Sequence, residues 1–119
     1  MLNLDTHIVL HALSGTLTSR EKRLLSGSPW GISDIVLWEI AKLVELGRVE
    51  LDLDDQEVRA ALRALHVWPI DLDVCLALRE IDFKSDPADE LIAATSLVHR
   101  APLVTRDRAI LKSRVVPLA

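Results

Sequence analysis

Apolar residues along this chain fall into two kinds of pattern. Short β-prone runs predict strands at residues 2–4, 30–33, 67–72, 103–105 and 115–116. Between these runs, apolar residues recur every three or four positions, which predicts helices at residues 6–13, 18–25, 34–46, 54–65, 73–81, 86–99 and 107–111. Short strands that alternate with helices are typical of an α/β fold with a parallel sheet.

The most informative unit runs from residue 85 to residue 107. Asp86 is a good N-cap and Pro87 occupies the first helical position, where its missing N–H costs nothing. Asp89 follows in the first turn of this helix, and Asp107 comes two residues after the end of the strand at 103–105. In a parallel α/β unit, helix starts and strand ends share one edge of the sheet. We therefore expect Asp89 and Asp107 to lie at the same edge.

Polar residues and glycine predict where the other helices begin and end. Thr6 caps the first helix in this interpretation, Ser33 or Asp34 caps the third, and Asp73 caps the helix that follows residue 72. Gly47 is a natural stop for the long third helix. A proline at position 69 predicts that the strand at 67–72 lies at an edge of the sheet.

Composition limits the possible classes of protein. The chain has 119 residues, half of them hydrophobic, which predicts one domain spanning residues 1–119 with a covered sheet or a buried oligomer surface. Its apolar runs are too short to span a membrane, and its first residues lack a secretory pattern. A single cysteine, Cys75, excludes an intrachain disulfide and fits the reducing cytoplasm. The net charge of −4 argues mildly against nucleic acid, unless the acids surround a metal ion.

Four acids stand at positions that a parallel sheet would bring together: Asp5, Glu39, Asp89 and Asp107. Carboxylates that meet in this way repel each other unless a cation is present. Oxygen ligands without Cys or paired His suit Mg²⁺ or Mn²⁺, which hold phosphate oxygens and activate water. The chemistry indicated is hydrolysis of a phosphodiester.

A simpler interpretation applies to each of these acids taken alone. Acids at helix starts are ordinary capping residues. Five others are assigned to capping or solvent: Asp34, Asp54, Asp55, Asp71 and Asp73. Glu39 is the exception, since it lies beyond the first turn of an otherwise apolar helix, where capping does not explain it.

Several segments resemble the PIN-domain ribonucleases, and most closely the VapC-type toxins of bacterial toxin–antitoxin pairs. They are LDTHIVLHAL, ISDIVLWEIAKLVELGRVEL, SDPADELIAATS and LVTRD, which span nearly the whole chain in the family's order. The resemblance implies a PIN-like three-layer α/β/α sandwich with a central, mainly parallel β-sheet. It also implies that Asp5, Glu39, Asp89 and Asp107 bind Mg²⁺ or Mn²⁺. The residues expected to support this site are Thr6, Ser33, Thr105 and Asp86, the last chiefly as a cap.

The function implied is that of a metal-dependent endoribonuclease, the toxin of a VapBC-type pair. The same resemblance implies a homodimer and a cognate VapB-type antitoxin whose C-terminal segment covers the site. The chain departs from similar toxins at two places. Glu90 stands where they often carry a basic residue, and Lys84 and Ser85 stand where they often carry a histidine. The first departure makes the site more acidic, and neither removes a metal ligand.

Basic and aromatic residues add further expectations. Arg106 and Arg108 flank Asp107 and are expected to touch the RNA backbone, with solvated charge as the alternative. His7 and His11 have a metal-compatible spacing but lack the neighbouring Glu of a zinc-hydrolase motif, so they are expected to face solvent. Core packing is the expectation for all three tryptophans: Trp30, Trp38 and Trp68. Three basic residues of the second helix, Arg20, Lys22 and Arg23, are expected to form a solvated face.

Two alternatives remain open at this point. Asp5 after the first strand also suits a phosphoryl-transfer enzyme with an aspartate nucleophile, although the second Asp usual in such enzymes is absent. A non-catalytic binding module with a relict acidic pocket is the other alternative. Trapping of a phospho-aspartate would favour the first, and the absence of Mg²⁺ or Mn²⁺ binding would favour the second.

Overall fold

The computed structural model describes every residue from Met1 to Ala119. Its strands are β1 (Leu2–Leu4), β2 (Trp30–Ser33), β3 (His66–Trp68) and β4 (Leu103–Val104). Its α-helices are α1 (Thr6–Ser14), α2 (Ser19–Ser26), α3 (Asp34–Glu45), α4 (Gln56–Arg63), α5 (Leu72–Ala77), α6 (Pro87–His99) and α7 (Arg108–Leu111). A 3₁₀ turn at Leu78–Glu80 follows α5. None of the helices combines the length and the apolar composition needed to cross a bilayer.

The four strands form one parallel sheet in the order β3-β2-β1-β4. This confirms the α/β class and the three-layer sandwich with a parallel sheet. β3 lies at an edge, as Pro69 predicts, but it ends at Trp68 because the proline follows immediately. All strands run in the same direction, so their carboxyl ends meet at one edge.

The strand predicted at 115–116 is wrong, and the pairing occurs two residues later. Leu103 pairs with Leu118 through an isolated parallel bridge, with bonds from Leu103 N to the Pro117 carbonyl and from Ala119 N to the Leu103 carbonyl. The Ser113 hydroxyl accepts hydrogen bonds from both residue 115 and residue 116 backbone amides. These two residues are therefore held in a turn and cannot join the sheet.

Both faces of the sheet are covered. Leu4 packs in a wholly buried cluster with Ile8 of α1 and Ile32 of β2. Asn3 points to the opposite face, where its Nδ2 donates to the Ile92 carbonyl (3.0 Å) and to Ser96 Oγ (2.9 Å) of α6. The alternation of neighbouring side chains between faces places β1 between α1 on one side and α6 on the other.

Two helix caps differ from the sequence prediction. Asp5, not Thr6, caps α1, and the Thr6 side chain turns instead toward Glu39. Asp71, not Asp73, caps α5, because β3 ends early enough for the helix to begin at Leu72. Both predicted ends of α3 are confirmed: Ser33 caps the helix, and Gly47 follows it with a φ of +69° in the left-handed region.

The tryptophan prediction holds for two of the three residues. Trp68 is buried and Trp30 packs against the core. Trp38 is 59% exposed, so the core assignment for it was wrong. The inward face of α3 is set by the buried residues Val36 and Ile40. Trp38 lies halfway between them along the chain, which places it on the opposite side of the helix.

Candidate active site

The structure brings the four predicted acids into one cavity at the carboxyl ends of the strands. Asp5 follows β1, Glu39 projects from the second turn of α3, Asp89 from the first turn of α6, and Asp107 follows β4 and caps α7. The cavity measures about 400 Å³ and has no hydrophobic residue in its lining. It is lined by Asp5, His7, His11, Glu39, Asp86, Asp89, Arg106 and Asp107.

Asp5 is the most deeply buried of these acids, with 4% of its surface exposed. Its Oδ1 accepts from the Thr6 amide (2.8 Å) and its Oδ2 accepts from Thr105 Oγ1 (2.6 Å). Burial raises the pKa of Asp5, and the charge of Asp107 adds to the rise, while the two hydrogen bonds oppose it. Both oxygens are thus already bonded, which weighs against Asp5 as a free nucleophile.

Glu39 is held by the residue that follows Asp5. Thr6 Oγ1 donates to Glu39 Oε1, which ties α1 to α3 at the rim of the cavity. Burial raises the pKa of Glu39, and the neighbouring Asp89 and Asp5 charges raise it further. Thr6 and Thr105 were both predicted to support the site, and the structure places each hydroxyl on one of its carboxylates.

Asp89 has a partner that the sequence did not reveal. Ser85 Oγ donates to Asp89 Oδ2 at 2.7 Å across the start of α6. Burial raises the pKa of Asp89, as do the charges of Asp5, Asp107 and Asp86. Ser85 occupies one of the two positions where the chain departs from similar toxins. Asp86 does stand at the N-cap of α6, but its side chain makes no capping hydrogen bond and faces the cavity instead.

Asp107 is both a cap and a cavity residue. Its Oδ1 accepts from the amides of Ala109 (2.8 Å) and Ile110 (3.2 Å) at the start of α7. Thr105 Oγ1, which donates to Asp5, also accepts from the Asp107 amide at 3.0 Å. The capping and the site interpretations therefore do not compete at this residue.

Two predicted residues do not reach the cavity. Ser33 Oγ is buried and accepts from the Ile35 amide at 3.4 Å as the cap of α3. Arg108 is exposed at the start of α7 and is not part of the cavity lining. Ser33 therefore supports the start of α3, the helix that carries Glu39, and does not contact the site directly.

The carboxylate oxygens of the cavity match the ligand preferences of a hard divalent cation. Glu39, Asp89 and Asp107 each keep one carboxylate oxygen without a protein hydrogen bond, and carboxylate oxygens are the ligands that Mg²⁺ and Mn²⁺ prefer. Burial, and to a smaller extent the neighbouring carboxylates, raises the pKa of Asp5, Glu39 and Asp89, so a cation in the cavity would favour their charged forms. No three such side chains are close enough together to form a complete coordination shell. The residues fit the ion by the chemistry of their oxygens and by the cavity that they share.

Arg106 is the only arginine or lysine in the cavity lining, and its charge is already paired. Its Nε and Nη2 donate to Oε2 and Oε1 of Glu21, each at 2.7 Å. The sequence assigned no role to Glu21, which lies among the basic residues of α2 and is buried. The overlooked signal was the capping box of α2, in which Thr18 and Glu21 exchange hydrogen bonds. The hydrogen bonds from Arg106 lower the pKa of Glu21 to about 2.

The two histidines that line the cavity, His7 and His11, differ in how far they are exposed. His7 is exposed, as predicted, and its charge interaction lowers the pKa of both Asp5 and Glu39, against the larger effect of burial. His11 is half-buried and hydrogen-bonded, so the prediction that it faces solvent was wrong. Its partners, Thr16 and Arg106, come from a loop and from a distant strand end.

The PIN domain family model matches residues 3–114 of the chain. The protein therefore belongs to the PIN domain family, which confirms the resemblance drawn from its motifs. Comparison with curated protein sequences finds no significant match.

Solved structures with a similar fold come from bacterial toxin–antitoxin systems. A toxin–antitoxin complex from Klebsiella pneumoniae matches with 25% identity and a TM-score of 0.72, over 98% of this chain and 95% of that chain. VapBC2 from Rickettsia felis, bound to a DNA fragment from its promoter, matches with 20% identity and a TM-score of 0.73, over 100% of this chain and 98% of that chain. DNA-bound VapBC from Salmonella typhimurium matches with 21% identity and a TM-score of 0.70, over the same shares.

Proposed function

We propose that this protein is a metal-dependent endoribonuclease and the toxin of a VapBC-type toxin–antitoxin pair, with residues 1–119 acting as one PIN domain. One observation carries the proposal. Four carboxylates from separate elements share a cavity without hydrophobic lining, and burial together with mutual repulsion raises the pKa of three of them. An arrangement that costs stability in this way is typical of a functional site.

Asp5, Glu39, Asp89 and Asp107 would hold Mg²⁺ or Mn²⁺. Such an ion stabilises charge on a phosphate and activates water for attack on phosphorus, with cleavage of the bond to the leaving ribose oxygen. The hydroxyls of Thr105, Thr6 and Ser85 hold Asp5, Glu39 and Asp89 in place. Because those bonds occupy one oxygen each on Glu39 and Asp89, the other oxygen of each is left for the ion.

RNA is the substrate of this proposal, with Arg106 and Arg108 as contacts for its backbone. Arg106 lines the cavity, and Arg108 is exposed one residue beyond Asp107. The chain as a whole carries a charge of −4, so these local cations and the bound ion would offset repulsion of the phosphates.

A VapB-type antitoxin and a second copy of the chain are the partners we propose, and the reducing cytoplasm is the compartment. The similar folds from Klebsiella, Rickettsia and Salmonella all come from toxin–antitoxin complexes. Apolar residues that remain exposed on α3, such as Leu37 and Trp38, provide surface for such contacts. Cys75 is exposed and forms no disulfide, which suits a reducing environment.

The test compares cleavage of a structured RNA by the wild type and by Asp5→Asn and Asp89→Asn variants in Mg²⁺ or Mn²⁺. Loss of at least about a hundredfold in rate is expected in both variants, since each removes one charge from the ion's site. Asp73→Asn is the matched control, because Asp73 is also an acid in the first turn of a helix but lies on α5, outside the cavity. Wild-type rates in both cavity variants would reject the nuclease assignment. Calorimetry without Mg²⁺ or Mn²⁺ binding would favour the relict binding module.

A further inference from the structure

Arg106 is held by more partners than any other basic side chain of the fold. In addition to the fork with Glu21, its Nη2 donates to the Thr16 carbonyl at 3.3 Å, and its Nη1 lies 2.8 Å from His11 Nε2. These partners come from α1, from the loop that follows it and from α2. Arg106 itself lies between β4 and α7, so the contacts bridge parts of the chain 85 to 95 residues apart.

The contact between Arg106 and His11 determines which ring nitrogen of the histidine accepts a hydrogen bond. A guanidinium has only donors, so His11 Nε2 must accept the hydrogen bond from Nη1. The ring proton of a neutral imidazole is then on Nδ1, where it donates to Thr16 Oγ1 at 2.6 Å. In this arrangement His11 acts as an acceptor for Arg106.

One N–H group of Arg106 has no protein partner. The guanidinium has five N–H groups, and the structure assigns partners to four of them. Nε–H and one Nη2–H bond to Glu21, the second Nη2–H bonds to the Thr16 carbonyl, and one Nη1–H bonds to His11. The second hydrogen on Nη1 has no protein partner, and Arg106 lines the cavity of the four carboxylates.

The ion pairing of Arg106 is selective. Although it shares a cavity with Asp5, Asp89 and Asp107, its only salt bridge is to Glu21. Glu21 is buried, with 9% of its side chain exposed, and its two carboxylate oxygens accept from Nε and Nη2. We expect a guanidinium released from this pair to move toward the cavity carboxylates and to compete there with a divalent ion.

We propose that the free Nη1–H of Arg106 donates to a non-bridging oxygen of the scissile phosphate, and that Glu21 and His11 are the positioning residues that aim it. This inference rests on the proposed nuclease function and adds to it the residues that orient the arginine. A donor fixed before the substrate binds loses little freedom when charge develops on the phosphate oxygens. Its effect is therefore expected in kcat more than in KM.

The experiment measures cleavage rates and RNA affinity for Arg106→Ala, Arg106→Lys, Glu21→Gln and the double variant Glu21→Gln/Arg106→Ala. Arg106→Ala is expected to lower kcat about 100- to 1000-fold with KM changed less than about threefold, as for the loss of one fixed donor. Lysine does not rescue it, since a single ammonium group cannot reproduce the fork. Arg23→Ala is the control for lost charge, because Arg23 is exposed on α2 and away from the cavity.

Glu21→Gln separates positioning from folding. Glutamine can retain the capping box of α2 but loses the charge that pairs with Arg106, so the thermal midpoint should fall by a few degrees at neutral pH while the protein stays folded and kcat falls about tenfold. If Glu21 acts through Arg106, the double variant is no slower than Arg106→Ala alone. Metal affinity, measured by calorimetry, should be weaker in Glu21→Gln and return to the wild-type value in the double variant, because the released arginine is then gone.

The two proposals fail in different ways. Loss of cleavage in Asp89→Asn together with wild-type kcat in Arg106→Ala would overturn the role of Arg106 and leave the nuclease standing. Independent, additive losses in Glu21→Gln and Arg106→Ala would show that Glu21 does not act through the arginine. Wild-type cleavage in Asp89→Asn would instead reject the proposed function itself.

Discussion

Asp89 illustrates how single residues of the cavity affect stability. Burial and three neighbouring carboxylates raise its pKa above the usual 3.8, so the fold opposes its ionisation. Such a penalty is absent well below pH 3.8, grows as the pH rises from 3.8 to the folded-state pKa, and is complete above that pKa. In metal-free buffer near neutral pH, Asp89→Asn is therefore expected to raise the thermal midpoint by a few degrees.

Asp73→Asn provides the opposite sign as a control. Asp73 also lies in a first helical turn but has no cavity neighbours, so its loss removes only a favourable interaction with the helix dipole. Its midpoint should fall slightly. Calorimetric scans at neutral pH and below pH 3.8 check both variants, and a stabilising effect of Asp89→Asn that persisted at acid pH would contradict the explanation.

At the residue scale, the sequence predicted those site residues whose role follows from their place in one strand or helix. Asp5, Asp89 and Asp107 could be located because each stands at the end of a strand or the start of a helix, and Glu39 because capping does not explain it. Glu21 could not be assigned, since its partner lies 85 residues away. The same holds for His11, whose contact with Arg106 spans 95 residues.

Gly31 sets the spacing between two elements of the sheet. A Cβ at this position would lie 2.6 Å from Trp68 Cζ3, on the neighbouring strand β3. We expect Gly31→Ala to lower the free energy of unfolding by about 1–3 kcal/mol, the usual cost of overpacking. Gly27→Ala is the matched control, because nothing lies within 4 Å of the added atom and its φ is −102°. Urea denaturation measures both, and equal stability of the two variants would refute this role of Gly31.

At the element scale, local signals placed most helices and strands. The Pro87 start of α6, the Gly47 stop after α3 and the Asp107 cap of α7 follow from side-chain chemistry near each helix end. The error at residues 115–116 has a different origin. β-branched residues favoured a strand there, whereas the Ser113 hydroxyl binds both backbone amides and moves the pairing toward Leu118.

The exposed face of α3 around Trp38 leads to a prediction about the oligomeric state of the protein. It is 59% exposed on α3, beside Leu37, and we expect this face to be buried between two copies of the chain. Trp38→Glu should weaken the dimer at least about tenfold, since a charge replaces a large apolar contact. Sedimentation equilibrium measures the change.

Leu111→Glu is the control for this substitution, because Leu111 is 49% exposed but lies on α7. An unchanged dimer in Trp38→Glu, or an equal loss in Leu111→Glu, would show that the α3 face is not the interface. Sequence alone placed Trp38 in the core, since its apolar neighbours in α3 do not distinguish an exposed tryptophan from a buried one.

The sequence predicted the overall fold more completely than the individual side-chain contacts. Alternation of short strands with helices predicted the parallel sheet, and the family's motifs agreed with it. The arrangement of the four acids followed from that topology, because parallel strands end at one edge. Which hydroxyl holds which carboxylate depends on side-chain packing, and only the structure showed it.

The most direct test of the account is to locate Mn²⁺ in crystals of the wild-type protein by anomalous diffraction. We expect one or two peaks inside the cavity, about 2.0–2.3 Å from oxygens of Asp5 and at least two of the acids Glu39, Asp89 and Asp107. Binding of Mn²⁺ only outside the cavity, with these four carboxylates free of the ion at saturating concentration, would contradict the account.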